Sequence, residues 1–463
     1  VGLTDILNTA RDAMSAQTFG LTVTGQNVAN VNTPGFVRRQ AQLETRDMGD
    51  RNFGSVHVAG LRRVADRFVE QRHLALTGAS AEASSRDQLL SQAEALFNDF
   101  EGTGLGNSLN GMFSSFAGLA ASPGDQTTRA TTLGRATAFA DQVRTTSNRL
   151  QNFRTDLFQQ ARELTDQINT KLDSVAQLSG RINQARAVGE EPADLQDKRD
   201  AALLELAELV EINTYTDGNG QLVVQGPGVT LIQGDSARHL SLDIGNDGAL
   251  RVMAETVAGN GSDITHFLSG GQLSGVITVR DHDVVEMQGE LDTFAFHLAN
   301  EVNAVHSAGF GLDGVGGRNL FSVSNTASGA AASLQLNAAL VDHPERIAAS
   351  SSPFELPGNA SQAALLSRVA DTPLAALGNL DPNQAYARII GRVGQRKADS
   401  AATLETREAM TAQVEAVRQS ISGVSLDEEM ISLTKYQRAF EAASRVFTTA
   451  DQLLEELINT LGR

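Results

Sequence analysis

Eight histidines lie at positions 57, 73, 239, 266, 282, 297, 306 and 343, and they are the first side chains to weigh for chemistry. His282, Glu286 and Glu290 share one helix face, as do His297 and Glu301. A zinc-protease helix needs His-Glu-x-x-His, which the chain lacks, so this spacing predicts a solvated polar face. Gly271-Gln272-Leu273-Ser274-Gly275 approaches a hydrolase nucleophile elbow but carries its serine one position late. Gly102-Thr103-Gly104-Leu105-Gly106 is glycine-rich with the wrong spacing for a nucleotide loop, and a predicted helix precedes it where a strand is required. It predicts an interhelical turn. Asp217-Gly218-Asn219-Gly220 and Asn246-Asp247-Gly248 offer calcium-type oxygens without a twelve-residue ligand loop, and suit hairpin turns better. With no cysteine there are no disulfides, thiolate zinc sites or cysteine nucleophiles. The residues therefore nominate no catalytic, cofactor or metal site, and point away from an enzyme.

The chain that carries these residues has 463 of them, room for roughly three domains. Its 37 Lys+Arg against 55 Asp+Glu leave a formal charge of −18. So acidic a surface argues against nucleic-acid binding, which needs cations against phosphate. No apolar run reaches the 18 or so residues of a membrane span. The first residues show no cationic stretch followed by an apolar core, so the ordinary rules predict a cytosolic protein.

Periodicity predicts a mostly α fold with a β-rich insertion. Leu3, Leu7, Met14, Leu21 and Val28, with Ala10, Gln17 and Thr24 between them, mark one stripe of a first helix at alternating four- and three-residue steps. Leu433, Tyr436, Phe440, Phe447, Leu454, Leu457 and Leu461 mark a stronger stripe at the other end, in a series that also contains Glu429. Ser425 and Glu428 have capping-box spacing at its start. So narrow a stripe covers one side of a helix. Either both helices pack on one globular core, or they pair with each other and with neighbouring subunits. Asn30, Asn32, Thr33, Pro34, Gly35 and Phe36 stop the first helix, with Pro34-Gly35 suited to a type II turn. Short strands follow at 37–43 and 56–58, then helix from about Leu61 to Phe100. A long helix is predicted from Thr127 to Val188 and another from Ala193 to Val210. Alternating runs from Ile212 to Ile264 read as a small β-rich unit. Helix resumes at Val276–Ser307 and from Asn383 to the end, broken near Gly423. Between them, Gly309 to Pro357 reads as irregular or short-stranded surface.

Asn27-Val28-Ala29-Asn30-Val31-Asn32-Thr33-Pro34-Gly35-Phe36 resembles the N-terminal signature of bacterial flagellar axial proteins. The run from Gly423 to Leu461, with Leu426-Asp427-Glu428-Glu429 and Tyr436-Gln437-Arg438-Ala439-Phe440, resembles their C-terminal helix. Within that group, Asp194-Leu195-Gln196-Asp197-Lys198-Arg199-Asp200, Ser269-Gly270-Gly271-Gln272-Leu273-Ser274-Gly275 and Asn303-Ala304-Val305-His306 resemble segments of the hook-associated protein 1 family of hook–filament junction proteins.

This resemblance implies a structural protein without catalysis or cofactor. Residues 1–35 and 424–463 would form a terminal coiled-coil domain, 36–211 and 268–423 a helical core with short strands, and 212–267 an outer β domain. The two stripes would be the assembly interface of a helical tube. Implied partners are copies of the chain, the hook protein, the second junction protein (hook-associated protein 3) and a cytoplasmic export chaperone on the C-terminal helix, with no nucleic acid or membrane insertion. The implied location is extracellular, in the flagellum, after type III export guided by an uncleaved N-terminus. A hook or flagellin relative, and an enzyme or adhesin carried on axial ends, are the competing readings.

Overall fold

The structure, a computed structural model, describes residues 2–46, 55–97, 104–255 and 261–461. Gly102 and Thr103 of the predicted interhelical turn lie outside them. Helix α1 (Leu3–Ala29) leads to a hairpin of β1 (Arg39–Arg46) and β2 (Ser55–Arg63), and then to α2 (Arg67–Ala95), α3 (Leu105–Ala121), α4 (Gln126–Ala187) and α5 (Ala193–Leu209). Two small antiparallel sheets follow. One joins β3 (Asn213–Thr216), β4 (Leu222–Gly226), β5 (Val229–Gln233) and β6 (Ser236–Ala237) in that order. The other joins β7 (Leu240–Ile244), β8 (Leu250–Ala254) and β9 (Ser262–Asp263). Helix returns as α6 (Gln272–Thr278), a π turn over Val279–Asp283, and α7 (Val284–Ser307). A short pair, β10 (Phe321–Ser322) and β11 (Gln335–Leu336), flanks the single turn α8 (Ala330–Ser333). The chain ends with α9 (Ser361–Arg368), α10 (Pro382–Ser422) and α11 (Leu426–Leu461).

The backbone of the body is α4, whose 62 residues span about 93 Å. Asp125 caps it, accepting from the Thr128 N–H at 2.8 Å. Leu150, Leu157, Ile168, Leu172, Val175 and Ile182 form its fully buried stripe. Local propensity does not predict α3, since Gly106, Gly111, Gly118 and its serines are poor helix formers. Burial outweighs that propensity: Leu109, Met112, Phe116 and Leu119 are wholly inaccessible against α4 and α9. The start predicted for α2 also shifts. Leu61, Arg62 and Arg63 continue β2, paired with Ala41, Gln40 and Arg39, and α2 begins only after its cap Asp66.

Glycines decide how closely α2 and α6 approach. Gly271 has φ +82, donates its N–H to the Gly78 carbonyl at 2.8 Å, and faces the Leu209–Val210 backbone so closely that a Cβ there would lie 2.5 Å away. The serine-elbow lookalike is thus a packing motif. The β turns are closed by their own aspartates, Asp217 accepting from Asn219 and Gln221 N–H groups, both at 2.9 Å. Asn169 of α4 takes both backbone groups of Leu240 at 2.8 Å and so fixes β7 to the body.

The polar face of Glu286 and Glu290 borders α10: Glu286 pairs with Arg396 at 2.5 Å and Glu290 with Arg392 at 2.6 Å. His282 and Glu286 keep to the solvated-face reading, their side chains 72% and 46% exposed, and only Glu290 is covered, at 13%. No helix among the described residues is long and apolar enough to cross a membrane.

The segment after α7 is anchored by two buried polar side chains. Arg129 is wholly buried and donates to the carbonyls of Pro123 and Ile347, each at 2.7 Å. His306 donates from Nδ1 to the Arg318 carbonyl at 2.7 Å and accepts the Ala348 N–H at Nε2 at 3.0 Å, which requires the neutral ring. Burial pushes its pKa from 6.5 down to about 4. The unfolded imidazole takes its proton near pH 6.5 and the folded one only near 4, so this contribution is present above 6.5 and lost as pH falls through that window. The loss amounts to about 3 kcal/mol. Urea unfolding at pH 7 and pH 4.5 checks this: His306→Gln removes that part of the acid destabilisation seen in the unsubstituted chain.

Candidate assembly interface at the chain termini

Helices α1 and α11 lie against each other along their lengths, beside the β1–β2 hairpin. Leu3, Leu7, Met14, Leu21 and Val28 are half-buried on α1. The residues most completely covered are Ala10, Ala16, Gly20, Val23, Thr24 and Asn27. Small residues there let the larger α11 side chains approach. A Cβ on Gly20 would stand 2.6 Å from the Tyr436 ring, so the tyrosine occupies space that only glycine leaves. On α11, Leu433, Tyr436, Phe440, Phe447 and Leu454 are half-buried and Ala450 is buried. Leu457 is exposed, and the side chain of Leu461 lies outside the described residues. Met430, Ile431, Val446 and Leu453 also stand open, so α1 covers only part of the apolar surface of α11.

The turn after α1 is compact. Asn30 returns its side-chain amide to the Gln26 carbonyl at 2.9 Å, and Thr33 donates its hydroxyl to Asn30 Oδ1 at 3.1 Å. Pro34 and Gly35 (φ +78) fill the middle of a turn closed by the Phe36 N–H on the Thr33 carbonyl at 3.2 Å. Asn32, Thr33, Pro34 and Gly35 are exposed, while Phe36 lies half-buried beneath the Arg39 guanidinium, 4.7 Å from its ring centre.

The buried chemistry of the interface sits on other residues. Glu429 is 2% exposed within the α11 seam. Its carboxylate accepts from Arg38 Nε at 2.7 Å and from Asn27 Nδ2 at 3.0 Å. Arg38 also reaches Glu428, at 2.6 Å, and its backbone N–H donates to the Ser422 carbonyl at the end of α10. Asn27 bonds both backbone groups of Arg39, accepting its N–H at 3.1 Å and donating to its carbonyl at 2.8 Å. Burial works against the charge on Arg38, but the hydrogen bonds it donates to Glu429 and Glu428 outweigh it and hold its pKa above the ordinary value.

A second set of ion pairs continues from the hairpin into the body. Arg39 binds Asp194 at 2.6 Å and Asp197 at 2.8 Å, and Arg63 binds Asp197 and Asp200, each at 2.8 Å. The three aspartates recur every three residues along α5 and so share a face. Burial raises the pKa of Asp197, with the two arginines pulling the other way. The hairpin is thereby held between the terminal helices and α5. Stripe periodicity marks none of Asn27, Arg38, Arg39 and Arg63, nor this role of Glu429. Two signals stood in view: a lone carboxylate in an apolar stripe, and paired arginines in both short strands.

Comparison with known proteins gives this arrangement its class. Residues 7–36 match the flagella basal body rod protein family, and 418–460 match the flagellar basal body rod FlgEFG protein C-terminal family. Residues 90–321 match the flagellar hook-associated protein FlgK helical domain. The ends thus resemble those of flagellar basal body rod proteins, and the class is that of flagellar structural proteins. Within that class, the chain belongs to the flagellar hook-associated protein FlgK family. It is 26% identical to flagellar hook-associated protein 1 of Bacillus subtilis (strain 168), over 98% of both chains. It is 23% identical to the protein of that name from Salmonella typhimurium (strain LT2), over 99% of this chain and 100% of the relative. The structure of the flagellar hook junction protein FlgK from Burkholderia pseudomallei shares its fold, with TM-score 0.67 and 15% identity over 76% of this chain and 100% of that one. The protein is therefore a hook-associated structural protein of the bacterial flagellum, with a mostly α fold and small antiparallel sheets.

The ion pairs predict a specific failure. Glu429→Ala removes the buried acceptor of the half-buried Arg38 and of the buried Asn27, leaving Arg38 only Glu428, and costs the α1–α11 pairing about 3 kcal/mol. Amide exchange across α1 then accelerates by about two orders of magnitude while α4 exchanges as before. Unchanged protection in α1 would show that the carboxylate does not hold the helices.

Proposed function

We propose that this chain is the structural junction protein between hook and filament, assembling through its terminal helices into a helical tube and catalysing nothing. The observation that carries the reading is the terminal pair: α11 keeps Met430, Ile431, Val446, Leu453 and Leu457 open after α1 has covered its share. An apolar flank of this kind asks for burial by a neighbour, and head-to-tail packing of copies supplies it in an open helical array. The relative of known structure is named a hook junction protein, which supports the position.

In this reading residues 1–35 and 424–463 act as one coiled-coil unit, 36–211 with 268–423 as the helical core, and 212–267 as an outward β unit. The neighbours are copies of the chain, the hook protein on one side and hook-associated protein 3 on the other. Before export through the type III apparatus, a cytoplasmic chaperone covers the open face of α11. The protein then works outside the cell. Its charge of −18 opposes assembly, so the apolar flanks must outweigh that repulsion.

Two experiments test the reading. A strain lacking the protein is expected to keep its hooks, build no filaments and shed flagellin monomers; normal filaments in that strain would overturn the junction assignment. Phe447→Asp places a charge in the α1–α11 seam. It is expected to block incorporation while the β strands between α5 and α6 stay folded, measured by immunolabelling of hooks and circular dichroism of the purified chain. Ordinary incorporation of this variant would remove the terminal helices from the mechanism.

A further inference from the structure

Helix α10 changes character along its length. Up to Val393 it buries Ala385, Tyr386 and Ile389 in the body, but beyond that point its buried residues are Ser400 and Ser422. These later turns run antiparallel along α2 and meet it through polar groups. Lys397 pairs with Asp87 at 2.7 Å, and Thr411 donates its hydroxyl to the Leu76 carbonyl at 3.3 Å. His73 Nε2 stands 3.5 Å from Glu415, and Arg418 Nη1 stands 4.0 Å from Glu70. With no fully buried apolar side chain after Val393, the attachment depends on how well these polar groups match.

His73 is the buried member of the set, 8% exposed. Its Nε2 faces the Glu415 carboxylate, while its Nδ1 is buried and meets no hydrogen-bond partner among the described residues. A neutral ring with its hydrogen on Nε2 fits that arrangement. A second proton must go to Nδ1, where it makes a charged donor with nothing to receive it. Glu415 is not free to turn toward it. Arg418 donates from Nε and Nη2 to its two oxygens at 2.7 and 2.9 Å, and Gln419 donates at 2.8 Å.

The charged groups around the ring come from few elements. Glu415 and Arg418 face it from α10, and Glu70 lies one turn earlier on α2, itself facing Arg63 of β2 and Asp200 of α5. The π turn meets α2 through Asp283 on Arg86, and α6 and β3 carry no charged side chain. Burial lowers the pKa of His73 from 6.5, and Glu415 offsets this in part. The neutral ring's contribution is therefore complete above pH 6.5 and lost as pH falls below it. Burial moves Glu70 the other way, above 4.5, so its contribution is lost as pH rises.

We propose that His73 is an acid-operated release for the later turns of α10: when the ring takes its second proton, α10 lifts from α2 and water receives the Nδ1 hydrogen. The release sits beside the root of the terminal pair, since the Ser422 carbonyl, one turn beyond Arg418, holds the Arg38 N–H at 3.0 Å. In mildly acidic surroundings the terminal pair gains freedom relative to the body, without any change in the apolar stripes of α3, α4 and α7.

Amide exchange of the full chain at pH 7.5 and 5.5, corrected for the intrinsic pH dependence of exchange, tests this. Protection across residues 411–422 is expected to fall about tenfold at the lower pH, the factor a ring of ordinary pKa supplies one unit below it. The same fall is expected in Glu70→Gln, whereas in His73→Gln these residues should lose no more protection than α4 does. His306 is unchanged in all three chains, so any loss it brings is common to them. Ring NMR of histidine-labelled chain, with the His73 signals assigned by their disappearance in His73→Gln, should show the proton added below pH 6.5 in step with the opening. If His73→Gln is already open at pH 7.5, that ring titration in the unsubstituted chain decides. No fall in the unsubstituted chain, an equal fall in His73→Gln, loss of the response in Glu70→Gln, or a His73 ring still neutral while 411–422 opens would each overturn the release.

Discussion

Glu429 lies almost wholly buried in a seam of apolar and small side chains, where an uncompensated carboxylate would be strongly destabilising. Arg38 and Asn27 compensate it, and each belongs to a different piece of backbone: Asn27 to the end of α1, Arg38 to the entry of β1. The same arginine takes the Ser422 carbonyl at the end of α10, and the same asparagine holds Arg39. One carboxylate thus gathers the two covalent connections between the terminal helices and the body. Through Arg39, Arg63 and the α5 aspartates, the same network reaches the helical core.

Apolar packing and polar pairing divide the work along the chain. In the body, α3, α4 and α7 bury continuous stripes, and stability there comes from area removed from water. In the terminal pair, most stripe residues are only half-buried, and α1 contributes small side chains at its most covered positions. Shape around Gly20 and Tyr436 and the polar set around Glu429 give that pair its register. A pair built this way retains apolar surface, which agrees with further burial against neighbouring chains.

Long periodic elements were legible because a helical stripe is a local property. The limits of α4 and α11 lie within a residue or two of those read from spacing and punctuation. α3 was not legible, since its glycines and serines argue against a helix and only contact with α4 and α9 overrules them. The extent of β2 was hidden likewise, because Arg62 and Arg63 become strand only by pairing with β1. Glu290 looked solvated because nothing in its own helix announces the arginines of α10 that cover it.

By itself the sequence determined helix content, the amphipathic ends, the absence of cysteine chemistry and the family resemblance, all of which depend on residues close together in the chain. Tertiary structure alone decided the partners of the buried charges. Asn27 and Glu429 are 402 residues apart, and Arg39 and Asp197 are 158 apart. Such pairs exist only once the fold has brought both groups out of water, where the low dielectric makes pairing obligatory.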